Sequence, residues 1–131
     1  MNTQAILKAL QEAIPSLSAV YIFGSQASGA AGPDSDVDLA ILADESPEVV
    51  RLWELAGRLA EIVGRSVDLI DLRAAGTVMQ YQIITTGKRL WARDSGPAIY
   101  ESFILTAKTD LDEARAGLLE DIRRTGTIYG R

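Results

Sequence analysis

Two residue types that dominate enzyme chemistry are missing from this chain: it has neither cysteine nor histidine. Without cysteine there is no disulfide, no thiolate metal site and no thiol nucleophile. Without histidine, His-based triads, imidazole general bases and almost every zinc site are excluded. Catalysis, if any, must run on carboxylates, hydroxyls, Lys or Arg, and borrowed metal ions. Positive charge is also short, with 13 Lys and Arg against 18 Asp and Glu and a formal net charge of −5. Broad nucleic-acid binding needs basic side chains to displace the counterions around phosphates, so no direct nucleic-acid partner is expected, although a local basic patch is allowed. No apolar run approaches the length of a membrane span, and the opening MNTQAILKALQEAI has helical periodicity rather than the pattern of a signal peptide. A cytoplasmic protein with no membrane association is the expectation.

What is present suits an ordinary globular protein. The 131 residues are 47% apolar and 24% charged, enough for one core without staples. One domain over residues 1–131 is expected. Ile6, Leu7, Leu10 and Ile14 recur at helical spacing before Pro15, predicting a first helix from about Thr3 to Ile14. AVYIF, from Ala19 to Phe23, is a β-type run ended by Gly24, and Ser25 to Ser35 reads as a loop with room for one helical turn. A second strand is predicted over Val37 to Leu42. Ser46-Pro47-Glu48 resembles a helix start, with a capping hydroxyl and Pro at the first helical position, and that helix should stop at Gly64. A third strand covers Ser66 to Leu72, a short helix Thr77 to Thr86, and an edge strand Arg89 to Ala92. From Pro97 to about Arg124 the apolar residues Tyr100, Ile104, Ala107, Leu111, Ala114, Leu118 and Ile122 form one seam, read as packed on the sheet. The fold class is therefore α/β, a small mixed sheet of three to four strands with helices against it and a long C-terminal helix.

The informative segment is Gly24-Ser25, ten residues, then Asp36-Val37-Asp38. Residues i and i+2 of a strand share a face, so Asp36 and Asp38 project side by side while Val37, Leu39 and Ile41 fill the opposite face. Two adjacent carboxylates repel unless a cation sits between them. A hard cation bridging carboxylates to substrate phosphates matches Mg²⁺. The Gly24-Ser25 turn supplies the other half: glycine permits close backbone approach, a following helical turn aims N–H groups at an anion, and Ser25 adds a hydroxyl. A third acid would complete a two-metal site and accept the proton of an attacking hydroxyl, and Asp68 is the candidate. Asp71 competes for that place but lies three residues on, facing the other side of the strand. Asp-x-Asp alone is commonly a solvated loop and Gly-Ser alone a turn. Their combination at this fixed spacing is expected by chance in about one chain per thousand at average usage.

At these residues, GSQASGAAGPDSDVDLAIL followed by VDLIDL, the sequence resembles the DNA polymerase β-like nucleotidyltransferase superfamily, and within it the minimal nucleotidyltransferase (MNT) proteins. The motif spans roughly residues 19 to 72, and GKRLWARD is similar to the family's closing strand. The resemblance implies metal binding by Asp36, Asp38 and Asp68, with two Mg²⁺ ions, and triphosphate binding at Gly24 and Ser25. It implies ATP as donor and a catalytic core over about residues 19–93, with a C-terminal helix and tail over about 97–131. Many MNT proteins are antitoxins paired with a HEPN-domain RNase toxin, and the active ones AMPylate a tyrosine of that partner. The resemblance thus implies a HEPN toxin as protein partner and acceptor.

Two other readings stand beside it. A transferase acting on a small aminoglycoside-type polyol suits the acidic charge, but such enzymes usually carry a second helical domain for which this chain has little length. A non-catalytic antitoxin that neutralises by contact alone would not need Gly24, Ser25 and all three acids. Arg65, Lys88 and Arg89 are candidates for reaching phosphates; Arg123 and Arg124 suit the C-terminal end of a helix. Trp53 and Trp91 read as core or rim residues, and the end bearing Ile128, Tyr129 and Arg131 as either disordered or partner-bound.

Overall fold

The computed structural model describes residues 1–32 and 35–125; the expectations for Ile128, Tyr129 and Arg131 lie outside them. Four strands form one mixed sheet: β1 (Leu17–Phe23), β2 (Val37–Ala43), β3 (Val67–Asp71) and β4 (Lys88–Ala92), in the order β3-β2-β1-β4. β1 is antiparallel to both β2 and β4, whereas β2 and β3 are parallel. Parallel neighbours need a crossover. Helix α3 (Val49–Val63) supplies it.

Helices cover both faces. On one, Ile6 and Leu10 of α1 (Thr3–Ala13) and Leu52, Leu55 and Leu59 of α3 pack on Val20, Ile22, Leu39, Ile41 and Val67. On the other, Leu72, Ile83 of α4 (Thr77–Thr86) and Ile104 of α5 (Gly96–Thr125) pack on Ala19, Tyr21, Ala40 and Leu42. β1 and β2 are thus central strands with both faces covered, which is why their sequences run nearly continuously apolar. The expected α/β architecture is present, with the fourth strand at an edge. Among the described residues no helix is long and apolar enough to cross a membrane.

Local signals account for most boundaries. The Asn2 side chain accepts a hydrogen bond from the Ala5 amide at 3.1 Å and caps α1. Gly64, at φ +70°, ends α3 in the left-handed conformation that glycine adopts freely. The one-turn helix α2 (Ser25–Ser28) sits inside the Gly/Ser/Ala-rich stretch.

Three expectations are corrected. Helix α3 begins at Val49 rather than at Pro47, with Glu48 in the cap position and no capping side chain. Just upstream, Ser16 Oγ accepts from the Glu45 amide and donates to the Glu45 carbonyl, and the Asp44 amide donates to the Ser16 carbonyl. These bonds tie the bend at residues 44–45 to Ser16, and the extended backbone of Glu48 leads into the helix. Along the α5 seam only Ile104, 3% exposed, is fully buried; Tyr100, Leu111 and Ile122 are half-buried, and Ala107, Ala114 and Leu118 are exposed. The 30-residue helix is longer than the sheet face that receives it. Trp91 is partly buried against the core, but Trp53 is 78% exposed and belongs to neither core nor rim. It follows Leu52 by one position, about 100° around the helix from the buried stripe.

Candidate active site

The acids come together because of strand register. In the parallel pairing of β2 and β3, Asp38 stands level with Asp68, and two residues on Ala40 stands level with Ile70. Level residues of paired strands share a face, and Ala40 and Ile70 belong to the core beneath α4 and α5. Asp38 and Asp68 therefore project from that same face, at the beginnings of their strands. Asp36 lies just before β2 and is exposed, as is Asp68; Asp38 is half-buried. Val37, Leu39 and Ile41 turn into the opposite core, as their alternation demands.

The electrostatics of Asp38 record this crowding. Partial burial pushes its carboxyl above the usual range; the Asp68 charge and a hydrogen bond with Asp68 push the same way, and Asp36 adds to them. Among the described residues no three such side chains close into a ready-made metal cage. The arrangement is a joined pair, Asp38 and Asp68, with Asp36 within electrostatic reach.

The glycine–serine turn faces this pair. Phe23, the last residue of β1, is level with Asp38, so Gly24 arrives directly at the carboxylate. Gly24 has φ +69° and ψ −149°, a region essentially closed to other residues. A Cβ placed on it would lie 2.2 Å from Asp38 Oδ2. Glycine is required here for two separate reasons, backbone conformation and contact with the acid. Ser25 then opens α2, whose Ala27 and Ser28 amides donate to the Gly24 carbonyl. The next side chain, Gln26, carries a buried Nε2 with no hydrogen-bond partner among the described residues.

Asp71, Arg89, Arg123 and Arg124 are engaged elsewhere. Asp71 is 8% exposed and accepts from the Arg73 amide at 3.0 Å, capping the 3₁₀ turn that follows β3. Arg89 binds Glu101 of α5 at 2.6 Å, and the same Glu101 oxygen accepts from Tyr21 Oη at 2.8 Å. Arg123 and Arg124 pair with Glu120 and Asp121 one turn back on α5. Sequence reasoning missed the Tyr21–Glu101–Arg89 cluster, for which the only signal was a tyrosine inside an apolar strand.

A paired carboxylate site beside a glycine turn, carried on a four-stranded mixed sheet, is what one family of transferases uses. The model of the family described as Polymerase beta, Nucleotidyltransferase matches residues 4–96. This chain belongs to that family. The match takes in all four strands and both halves of the site. Protein adenylyltransferase MntA of Shewanella oneidensis is 34% identical over 122 residues, spanning 93% of this chain and 88% of MntA. Among solved structures, a toxin–antitoxin with AMP-PNP contains a chain of TM-score 0.84 and 34% identity, with 94% of this chain and 99% of that one covered. The complex of a tri-AMPylated Shewanella oneidensis HEPN toxin with its MNT antitoxin gives TM-score 0.77 at 33% identity, covering 93% and 97%. Membership in the nucleotidyltransferase family accounts for the fold and makes the chain a nucleotide-using enzyme.

Proposed function

We propose that this chain transfers AMP from Mg²⁺-bound ATP to a tyrosine hydroxyl of a HEPN-domain toxin and so acts as its antitoxin. The observation that carries the reading is the Asp38–Asp68 pair with Gly24 packed against it. MntA, which this chain matches over nearly its whole length, is a protein adenylyltransferase, and the related complexes hold a tri-AMPylated HEPN toxin in one case and AMP-PNP in another. These support a protein acceptor over a small polyol.

The donor set suits magnesium. All the available ligands are carboxylate oxygens, and Mg²⁺ favours one or two carboxylates with substrate phosphates completing its shell. Asp36, Asp38 and Asp68 would hold it, and their mutual repulsion is what a cation relieves. When bound, the metal neutralises charge on the phosphates and leaving group. Gly24 and Ser25 grip the triphosphate, and Gln26 Nε2, without a partner among the described residues, is a donor suited to an anionic oxygen. The tyrosine oxygen attacks the α-phosphorus, the bond to the β-phosphate bridging oxygen breaks, and pyrophosphate leaves with the bonding electrons. With no histidine in the chain, Asp68, exposed at the rim of the pair, takes the hydroxyl proton.

The test is incubation of the purified protein with Mg²⁺, labelled ATP and a HEPN-domain protein that co-purifies with it, followed by mass spectrometry of the partner. An adenylated tyrosine is expected, and none with Asp36→Ala combined with Asp38→Ala. Transfer at the parental rate by the double variant would remove the metal site from consideration.

A further inference from the structure

We propose that Gln26 sets the preference of the site for a nucleoside triphosphate over a monophosphate, its amide nitrogen serving an oxygen of the β- or γ-phosphate; this rests on the nucleotide-transferring reading above. The state of the side chain is the first argument. Gln26 is half-buried, and its Nε2 is buried without a hydrogen-bond partner among the described residues. A buried donor left unpaired costs free energy, so the turn without nucleotide carries an unmet demand. The last side-chain torsion of glutamine is broad in energy. Rotation about it carries the nitrogen toward the exposed side of the residue, where a ligand oxygen can accept from it.

The neighbours are the second argument. Ser28 of α2 is engaged within the turn: its Oγ donates to the Ser25 carbonyl at 3.3 Å and accepts from the Ala30 amide at 3.4 Å. The side chains of Ser25 and Gln26 make no hydrogen bond among the described residues, so two adjacent donors stand ready together. From Gly24 to Gly32 the chain carries no charged side chain, and the turn must hold phosphate with neutral donors alone. Each such bond to an ionised oxygen is of the stronger, charge-assisted kind. Position is the third argument. Gly24 meets Asp38, where the metal and the α-phosphorus belong. Gln26 stands two residues past that contact and so falls to the outer phosphates, which ATP carries and AMP lacks.

Two variants test the proposal. Gln26→Leu removes the donor, and Gln26→Met does so with an unbranched side chain that adapts to irregular gaps. Binding of AMP-PNP with Mg²⁺, and of AMP, to the full chain is titrated by calorimetry, and the melting temperatures of the ligand-free proteins are recorded. AMP-PNP should bind at least about tenfold more weakly to both variants, with AMP binding within about twofold of the parent's. The ligand-free variants should melt at or above the parent, because an unsatisfied buried amide is gone. Unchanged affinity for AMP-PNP overturns the assignment while leaving the nucleotide site intact. Equal weakening for the two ligands also overturns it, since the contact would then lie at the α-phosphate or the nucleoside. Melting below the parent by both variants overturns it too, by showing that the amide is already satisfied without nucleotide. If the parent binds neither ligand, the nucleotide reading falls as well.

Discussion

Asp38 and Asp68 stand level on adjacent parallel strands, close enough that the Asp68 charge raises the pKa of Asp38. Nothing in folding favours that placement. Replacing Asp38 by Asn should remove a metal ligand and much of the repulsion together. Metal-assisted transfer supplies several kcal/mol, so turnover should fall by at least about a hundredfold. The melting temperature of the metal-free variant should equal or exceed the parent's. A variant that lost activity through unfolding would melt lower, and calorimetry separates the two.

The same pair sets a pH dependence. Burial, then Asp68 and Asp36, raises the Asp38 pKa, so the folded state holds its proton more tightly than the unfolded chain. Between the ordinary Asp value and the raised one, folding binds protons, and stability from this group falls as pH rises through that window. Above the window the penalty is constant. Denaturant titrations of metal-free protein at several acidic pH values should show the stability difference, Asp38→Asn minus parent, growing with pH and then levelling. A difference independent of pH would mean that Asp38 is not perturbed.

Gly24→Ala tests the contact between the turn and the acid. The backbone there is at φ +69° and ψ −149°, and the added methyl would meet Asp38 Oδ2 at 2.2 Å. Strain of this kind costs about 1–3 kcal/mol. Because relief requires Asp38 or the turn to move, activity should fall further than stability does. Parallel measurement of unfolding free energy and turnover reads both; a fully active Gly24→Ala protein would show the contact to be unimportant.

Tyr21 is 1% exposed, and its hydroxyl donates to Glu101, which Arg89 also grips. Burial, then Glu101, raises the phenol's pKa, so it stays protonated and donates throughout the physiological range. Tyr21→Phe keeps the ring and leaves Glu101 its arginine, so the loss is one hydrogen bond to a charged group, about 1.5–3 kcal/mol. Glu101→Leu should cost more than Tyr21→Phe, since it strands a buried hydroxyl and frees Arg89. Equal stabilities in urea titration would show that the cluster contributes nothing.

How much of this was legible in the residues depended on whether the information was local. Alternation placed Val37, Leu39 and Ile41 in one core and the aspartates on the other face without any tertiary knowledge. Asp68 was readable as a candidate, but its partnership with Asp38 is a matter of β2–β3 register, which no stretch of sequence encodes alone. Gly24 was legible as a turn; the second reason for it, the Asp38 carboxylate at its Cα, exists only across strands. Ser46-Pro47 failed as a helix start because the local pattern could not show that extended backbone continues through Glu48, which takes the cap position. Trp53 failed because hydrophobicity alone does not say which side of a helix a residue takes, and it falls outside the buried stripe of Leu52, Leu55 and Leu59.

The α5 seam is the remaining case, and it makes a sharp contrast. Periodicity ran through Leu118 and Ile122, yet full burial is confined to Ile104, with Leu111 and Ile122 only half-buried and Leu118 exposed. Ile104, 3% exposed, touches the core of Ala19, Tyr21 and Leu42, so Ile104→Ala should cost about 2–4 kcal/mol through lost burial and the cavity left behind. Leu119 is 65% exposed, and Leu119→Ala should change stability by no more than about 0.5 kcal/mol in the isolated protein. Denaturant unfolding of both variants checks the pair. A large cost at Leu119 would mean that the outer turns of α5 are covered in solution, by the chain itself or by another copy.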